Sequence, residues 1–221
     1  MSAAPTHSPA TARGTAHAGL ERDDVVHAAL DLVEEGGAEA LTMRKLAAAL
    51  GVTTTTIYWH VGARDELVIA VIERLAQQLA RAPVVGRTPR DRVLSAARNI
   101  WTNALAHRNV TALASQVGAT TLLELPLEVA LVAELEAAGV RGAAARDALR
   151  SVLMCIAGFL IGAWRPDDAA PAPLRHGALW SGVDDPAIPT ATVAAMAEPP
   201  DVERLFDTAL VAIVDAYLGA G

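Results

Sequence analysis

Residues 42–60, Thr-Met-Arg-Lys-Leu-Ala-Ala-Ala-Leu-Gly-Val-Thr-Thr-Thr-Thr-Ile-Tyr-Trp-His, constrain the fold more than any other stretch of the chain. Thr42 has the hydroxyl of an N-cap, able to accept from first-turn amides. Leu46, Ala47 and Leu50 recur at helical spacing and define an inward face. Gly51 tolerates a positive φ and stops the helix, with Val52 filling the angle behind it. Thr53 then caps a second helix, anchored by Ile57. Two short helices about a glycine turn, the second with a polar outer face, predict a helix-turn-helix. The competing reading is a polar turn with an extended run, because four consecutive threonines are weak helix formers. Cap, Gly-Val turn and flanking amphipathic helices together argue against it.

The exposed chemistry of this stretch suits a DNA duplex. Threonine hydroxyls and methyls can meet base edges, and Tyr58 and His60 can donate to phosphates. Arg44, Lys45 and Arg64 are the only charged side chains from Leu41 to Arg64. The expected contacts are therefore Thr42, Arg44, Lys45, Thr53, Thr54, Thr55, Thr56, Tyr58, Trp59, His60 and Arg64. Arg44 and Thr54 are placed on base edges, and Tyr58, His60 and Arg64 on phosphates. Trp59 is expected to be partly buried packing.

Residues 24–68 resemble the DNA-binding domain of the tetracycline-repressor (TetR) family. Leu41-Thr-Met-Arg-Lys-Leu-Ala, Leu50-Gly-Val and Ile57-Tyr-Trp-His-Val carry the resemblance, which covers roughly a fifth of the chain and is strongest to the tetracycline repressors proper. It implies an all-α fold. A three-helix helix-turn-helix domain would be joined by a linking helix to a helical ligand-binding and dimerisation domain. The expected division is a disordered tail at 1–19, the DNA-binding domain at 20–66 and the ligand-binding and dimerisation domain at 67–221.

With 52% hydrophobic residues the chain has ample core material, and its bias to Ala and Leu favours helix. Net charge is −7, which at first sight disfavours nucleic acid. A small basic patch nevertheless acts locally, since charge is screened within about 8–10 Å at ordinary salt. Binding through few phosphate contacts and strong salt sensitivity are expected. The uncharged apolar run Leu153 to Trp164 is shorter than the ~20 residues of a membrane span. No secretory apolar region follows Met1, and a lone Cys155 fits a reducing cytoplasm.

Residues 1–19 are small and polar, and are read as a solvated tail holding His7, His17 and Arg13, the last a possible minor-groove arm. Leu20 to Glu35 is an amphipathic helix closed by Gly36-Gly37. A fourth helix opens near Arg64 with apolar residues on more than one face. By the resemblance, it links head to body. Pro83 to Pro89 punctuates the chain. Helices follow at Asp91–His107, Val110–Val117, Pro126–Ala138 with proline in its first position, and Ala143–Trp164. Residues 165–200 are read as irregular with at most one short helix, and Asp201 caps the last helix.

No phosphate loop, nucleophile elbow, kinase signature or clustered metal ligands occur. Neither enzyme chemistry nor a cofactor is expected, and Cys155 reads as a buried, inert thiol. In the body, Trp101, His107, Met154, Phe159 and Trp164 are the candidate lining of a small-molecule pocket. The resemblance places His107 near that pocket. It also places Gln116 where tetracycline repressors have a histidine that ligates drug-bound magnesium, which argues against a metal–tetracycline effector. The apolar surface of 143–164 and 201–218 is more than a monomer exposes, so a homodimer with two readers one DNA turn apart is expected. The expected function is thus a cytoplasmic, dimeric, effector-released repressor on a palindromic operator. The alternatives are an activator of the same fold or a helical small-molecule-binding protein.

Overall fold

The computed structural model describes residues 19–164 and 175–219, all of whose regular structure is helical. The chain divides into two compact units. Residues 19–77 and 107–123 form the first, and residues 78–106 and 124–219 the second. The solvated tail and its Arg13, His7 and His17 lie outside the described residues, as do residues 165–174.

In the first unit, α1 (Arg22–Gly36) starts two residues after Leu20, where the Asp24 carboxylate accepts from the Glu21 amide at 2.8 Å. Its stripe Val25, Val26, Ala29, Leu30 and Val33 is buried. A 3₁₀ turn (Ala38–Ala40) leads to α2 (Met43–Leu50), followed by α3 (Thr54–Val61) and α4 (Arg64–Leu79). α1 packs on both α2 and α3. The core they share includes Leu41, Leu46, Ile57, Val61, Leu67 and Val71, each essentially without solvent contact. α6 (Arg108–Gln116) also belongs to this unit and packs on α1 and the 3₁₀ turn through its buried face of Val110, Leu113 and Ala114. Arg108 and Asn109 open α6 rather than closing α5. His107 alone separates the two helices, with φ −110° and ψ 41°.

The second unit contains α5 (Pro89–Ala106), α8 (Ala143–Trp164), α11 (Val202–Leu218) and most of α7 (Thr120–Ala137). α5 starts on proline, whose missing amide costs nothing at that position. α5 and α11 run antiparallel, tied by Arg90 to Asp215 (2.9 Å at the second contact) and Arg98 to Asp207 (2.8 Å). The Arg90 guanidinium holds the Asp215 carboxyl below its ordinary range. Trp101 stacks on Phe206 at 4.4 Å, and Phe159 meets both rings edge-on.

Two expectations are corrected. Pro126 lies inside α7 rather than in its first position. The stripe Leu123, Leu127, Leu131 and Leu135 is buried along its whole length, and that burial keeps the turns before the proline helical. The segment before α11 holds two short helices, not one: α9 (His176–Ser181) and α10 (Thr190–Ala197). They pack on each other so closely that a Cβ on Gly177 would lie 2.5 Å from the Ala197 carbonyl oxygen. Neither buries a residue fully, which is why hydrophobic periodicity gave no sign of them.

One polar feature of α7 has a pH consequence. Burial, and secondarily Glu128 one turn on, push the Glu124 carboxyl up to about 7. The unfolded carboxyl ionises lower, near the ordinary 4.5. Stability is therefore lost progressively as pH rises from that range through about 7. Glu124→Gln is expected to raise unfolding stability by about 2 kcal/mol at pH 8 and to change it little at pH 4, as read by denaturant titration at both values.

Candidate functional site

The reader is built by two threonine caps and one left-handed glycine. The Thr42 hydroxyl accepts from the Lys45 amide at 3.2 Å, and the Thr53 hydroxyl from the Thr56 amide at the same distance. Gly51 closes α2 at φ 67° and ψ 26°, its amide and that of Val52 returning to the Ala47 carbonyl. α3 therefore begins within four residues of the end of α2, the spacing that sets two helices at an angle.

Ile57 and Val61 are the buried positions of α3 and stand one turn apart. The remaining positions turn outward. Thr42, Arg44, Lys45, Thr53, Thr54, Thr55, Tyr58 and Arg64 are exposed, and Thr56 and His60 are half-buried. Thr53 and Thr56 are engaged with each other, hydroxyl to hydroxyl at 2.9 Å, whereas Thr54 and Thr55 present free outer surface. Among the described residues, Arg44 and Lys45 make no ion pair, while Arg90, Arg92 and Arg98 of the second unit are each held by a carboxylate. No carboxylate lies between Glu39 and Asp65, so the cations of this stretch remain available.

Two members of the predicted set behave differently. Trp59 is 84% exposed, standing edge-on to His60 at 5.3 Å, and is not packing. At 100° per residue it lies about 200° round the helix from Ile57, opposite the core. Arg64 is turned back on its own unit, donating to the Leu41 carbonyl at 3.3 Å and to the Ala38 carbonyl at 3.4 Å.

In the second unit, α5 and the start of α11 border an open groove of about 690 Å³, where the apolar Trp101, Leu105 and Phe206 are outnumbered by polar and charged side chains, Arg98, Asp201, Glu203, Arg204 and Asp207 among them. The predicted pocket set is dispersed. Trp101 lines the groove and Phe159 lies behind it against Trp101. Met154 is 73% exposed on α8 and does not face inward. Trp164 ends α8, half-buried and away from the groove lining. His107 belongs to the first unit, its Nδ1 2.7 Å from a Glu34 carboxylate oxygen. Phe206 and Arg98 were absent from the predicted set. Phe206 had a signal in the apolar face of the last helix, but Arg98 had none beyond its place one turn before Trp101. Cys155 is only part-buried, and burial pushes its thiol up, away from the reactive thiolate. Among the described residues, no group of three or more His, Cys, Asp or Glu side chains is placed to hold a metal ion.

A helix-turn-helix head with an exposed, acid-free reading surface and a separate helical body defines a transcriptional regulator. Residues 25–71 match the family model of bacterial regulatory proteins, tetR family. The class A tetracycline repressor from transposon 1721 of Escherichia coli is 30% identical over 200 residues, covering 89% of each chain. Among solved structures, SCO7222, a TetR transcriptional regulator of Streptomyces coelicolor, superposes with a TM-score of 0.71 at 25% identity, over 90% of this chain and 98% of that one. The TetR family protein ActR of the same organism, in complex with (S)-DNPA, gives 0.63 at 25% identity, over 92% of this chain and all of that one. The chain belongs to the TetR family of DNA-binding, ligand-binding transcriptional regulators.

Because Trp59 makes no core contact, Trp59→Ala is expected to leave unfolding stability within about 0.5 kcal/mol of the parent, measured by denaturant titration. A loss of 2 kcal/mol or more would return Trp59 to a packing role.

Proposed function

We propose that this regulator is a homodimeric repressor that holds a palindromic operator and is released by a small, largely apolar effector. The observation that carries the DNA side is the cation-bearing surface of α2 and α3, from which carboxylates are absent. Arg44 and Thr54 are assigned to base edges, with Thr55 beside them. Thr42, Lys45, Tyr58 and His60 are assigned to phosphates, and Trp59 to the duplex surface rather than to the core.

Dimerisation is supported by what α8 and α11 leave uncovered. Met154 and Ile161 on α8, and Leu205 on α11, are exposed large apolar side chains on helices that pack together. α8 is by length and composition long and apolar enough to cross a membrane. A second copy laid against it in the cytoplasm accounts for that surface, and continues the pairing of α8 with α11 into a four-helix interface. Two readers related by a twofold axis call for a palindromic site with half-sites about one helical turn apart.

On the effector side, the relative ActR is solved with a small molecule bound, and the groove beside Trp101 has the size of small-molecule sites, roughly 300–1,000 Å³. Repression is relieved if the effector binds unequally to the operator-competent and operator-incompetent conformations, with α4 as the connecting helix. An effector that binds tightly and leaves operator affinity unchanged contradicts this account.

The test is a titration of the DNA upstream of the protein's own gene, over a salt series. Wild type is expected to bind selectively with a steep salt slope. Arg44→Ala is expected to weaken binding by about 1–3 kcal/mol and relax sequence preference, and Tyr58→Phe to weaken it without relaxing preference. Binding that ignores salt would overturn the assignment.

A further inference from the structure

The last turn of α1 and its connection to α2, residues 34–42 together, form a segment that leads directly into α2, and its own backbone is poorly equipped to hold itself. It passes through Gly36 and Gly37, the latter at φ 68° and ψ −171°. Beyond the Gly37 amide, which donates back to the Val33 carbonyl, its short bonds run from Ala40 to Gly37, from Leu41 to Ala38 and from Thr42 to Ala40. The Glu34 carbonyl would accept from residue 38 if α1 continued, but the helix ends first.

Two distant segments supply what is missing. Asn109 Nδ2 donates to the Glu34 carbonyl at 2.7 Å, and His107 Nδ1 lies 2.7 Å from the carboxylate of the same residue. Both side chains of the Glu34–His107 pair are about 30% exposed, so the contact is largely shielded from water. His107 occupies the N-cap of α6 yet makes no side-chain cap bond there; its ring faces α1 instead. At the other end, Arg64 at the start of α4 donates to the Ala38 and Leu41 carbonyls, directly before the Thr42 cap of α2.

We propose that His107, Asn109 and Arg64 are positioning residues for DNA reading, clamping the α1–α2 connection from α6 and from α4 so that Arg44 and Lys45 are presented in one register. The proposal rests on α2–α3 being the reader. It adds that Arg64 acts through the protein backbone rather than on a phosphate. It also makes α6, which follows α5 after a single residue, a second point at which the register of α2 can be altered.

The experiment uses the full chain and a duplex recovered with it from a randomised pool. Asn109→Ala, which loses one hydrogen bond, is expected to lower affinity roughly three- to tenfold, and Arg64→Ala, which loses two, by at least as much, both with the salt slope of wild type. Lys45→Ala is the contrast, with a slope smaller by about one. Hydrogen exchange at the amides of residues 44–47 is expected to quicken in both clamp variants and not in Lys45→Ala. His107→Gln, which keeps a side-chain donor, is expected to retain more affinity than His107→Ala. The proposal is overturned if affinity and exchange are unchanged while only the melting temperature falls, the result of a purely structural staple. A reduced slope for Arg64→Ala overturns it too, because that residue then meets a phosphate. If wild type enriches no duplex, the reader assignment falls, and the exchange data still decide whether the clamp holds α2.

Discussion

The left-handed turn at Gly51 is the constraint on which the reader depends. At φ 67° an L side chain is strained by about 1–2 kcal/mol. A Cβ there would meet nothing within 4 Å, so the requirement is conformational and not one of space. Once the chain turns at Gly51, Thr53 caps α3 at once, and Ile57 is delivered to the core with Leu46 and Ala47 of α2. Burying Ile57 then leaves Thr54, Thr55, Tyr58 and Trp59 no choice but the outer face. One backbone conformation thus fixes which side chains of α3 face outward.

The electrostatics follow the same division. A chain of net charge −7 would repel DNA if its charge were evenly spread. None of its carboxylates falls between Glu39 and Asp65, the stretch that carries the reader, and in the second unit Asp207, Asp215 and Glu134 are bound to arginines that knit α5 to α11 and α7. The reader keeps unpaired cations. With a screening length near 10 Å, the local patch outweighs the global sum at the distances that matter for contact.

Much of the head was legible in the sequence because its determinants are local. Caps at Thr42 and Thr53, the stop at Gly51 and the stripe of α1 each act within one or two turns, and the periodicity that reports them has the same range. What escaped the sequence acts over longer distances or against type. Trp59 and Met154 are large and apolar yet exposed, because hydrophobicity of a single residue does not say which way its helix faces. Pro126 has the local preference of a helix start, and burial of the leucine stripe around it overrides that preference. In sequence, His107 reads as the end of α5 and as part of a pocket, and Asn109 as the stop that follows it. Their partner, Glu34, lies more than 70 residues earlier, and nothing in the intervening sequence signals that approach.

The central claim is that a twofold pair of α2–α3 readers recognises DNA, and a hydroxyl-radical footprint of the full chain on its selected duplex tests it most directly. The account predicts two protected patches, related by symmetry and separated by about one helical turn, ~34 Å. A single asymmetric patch, or protection that spreads without preference along the duplex, would contradict it.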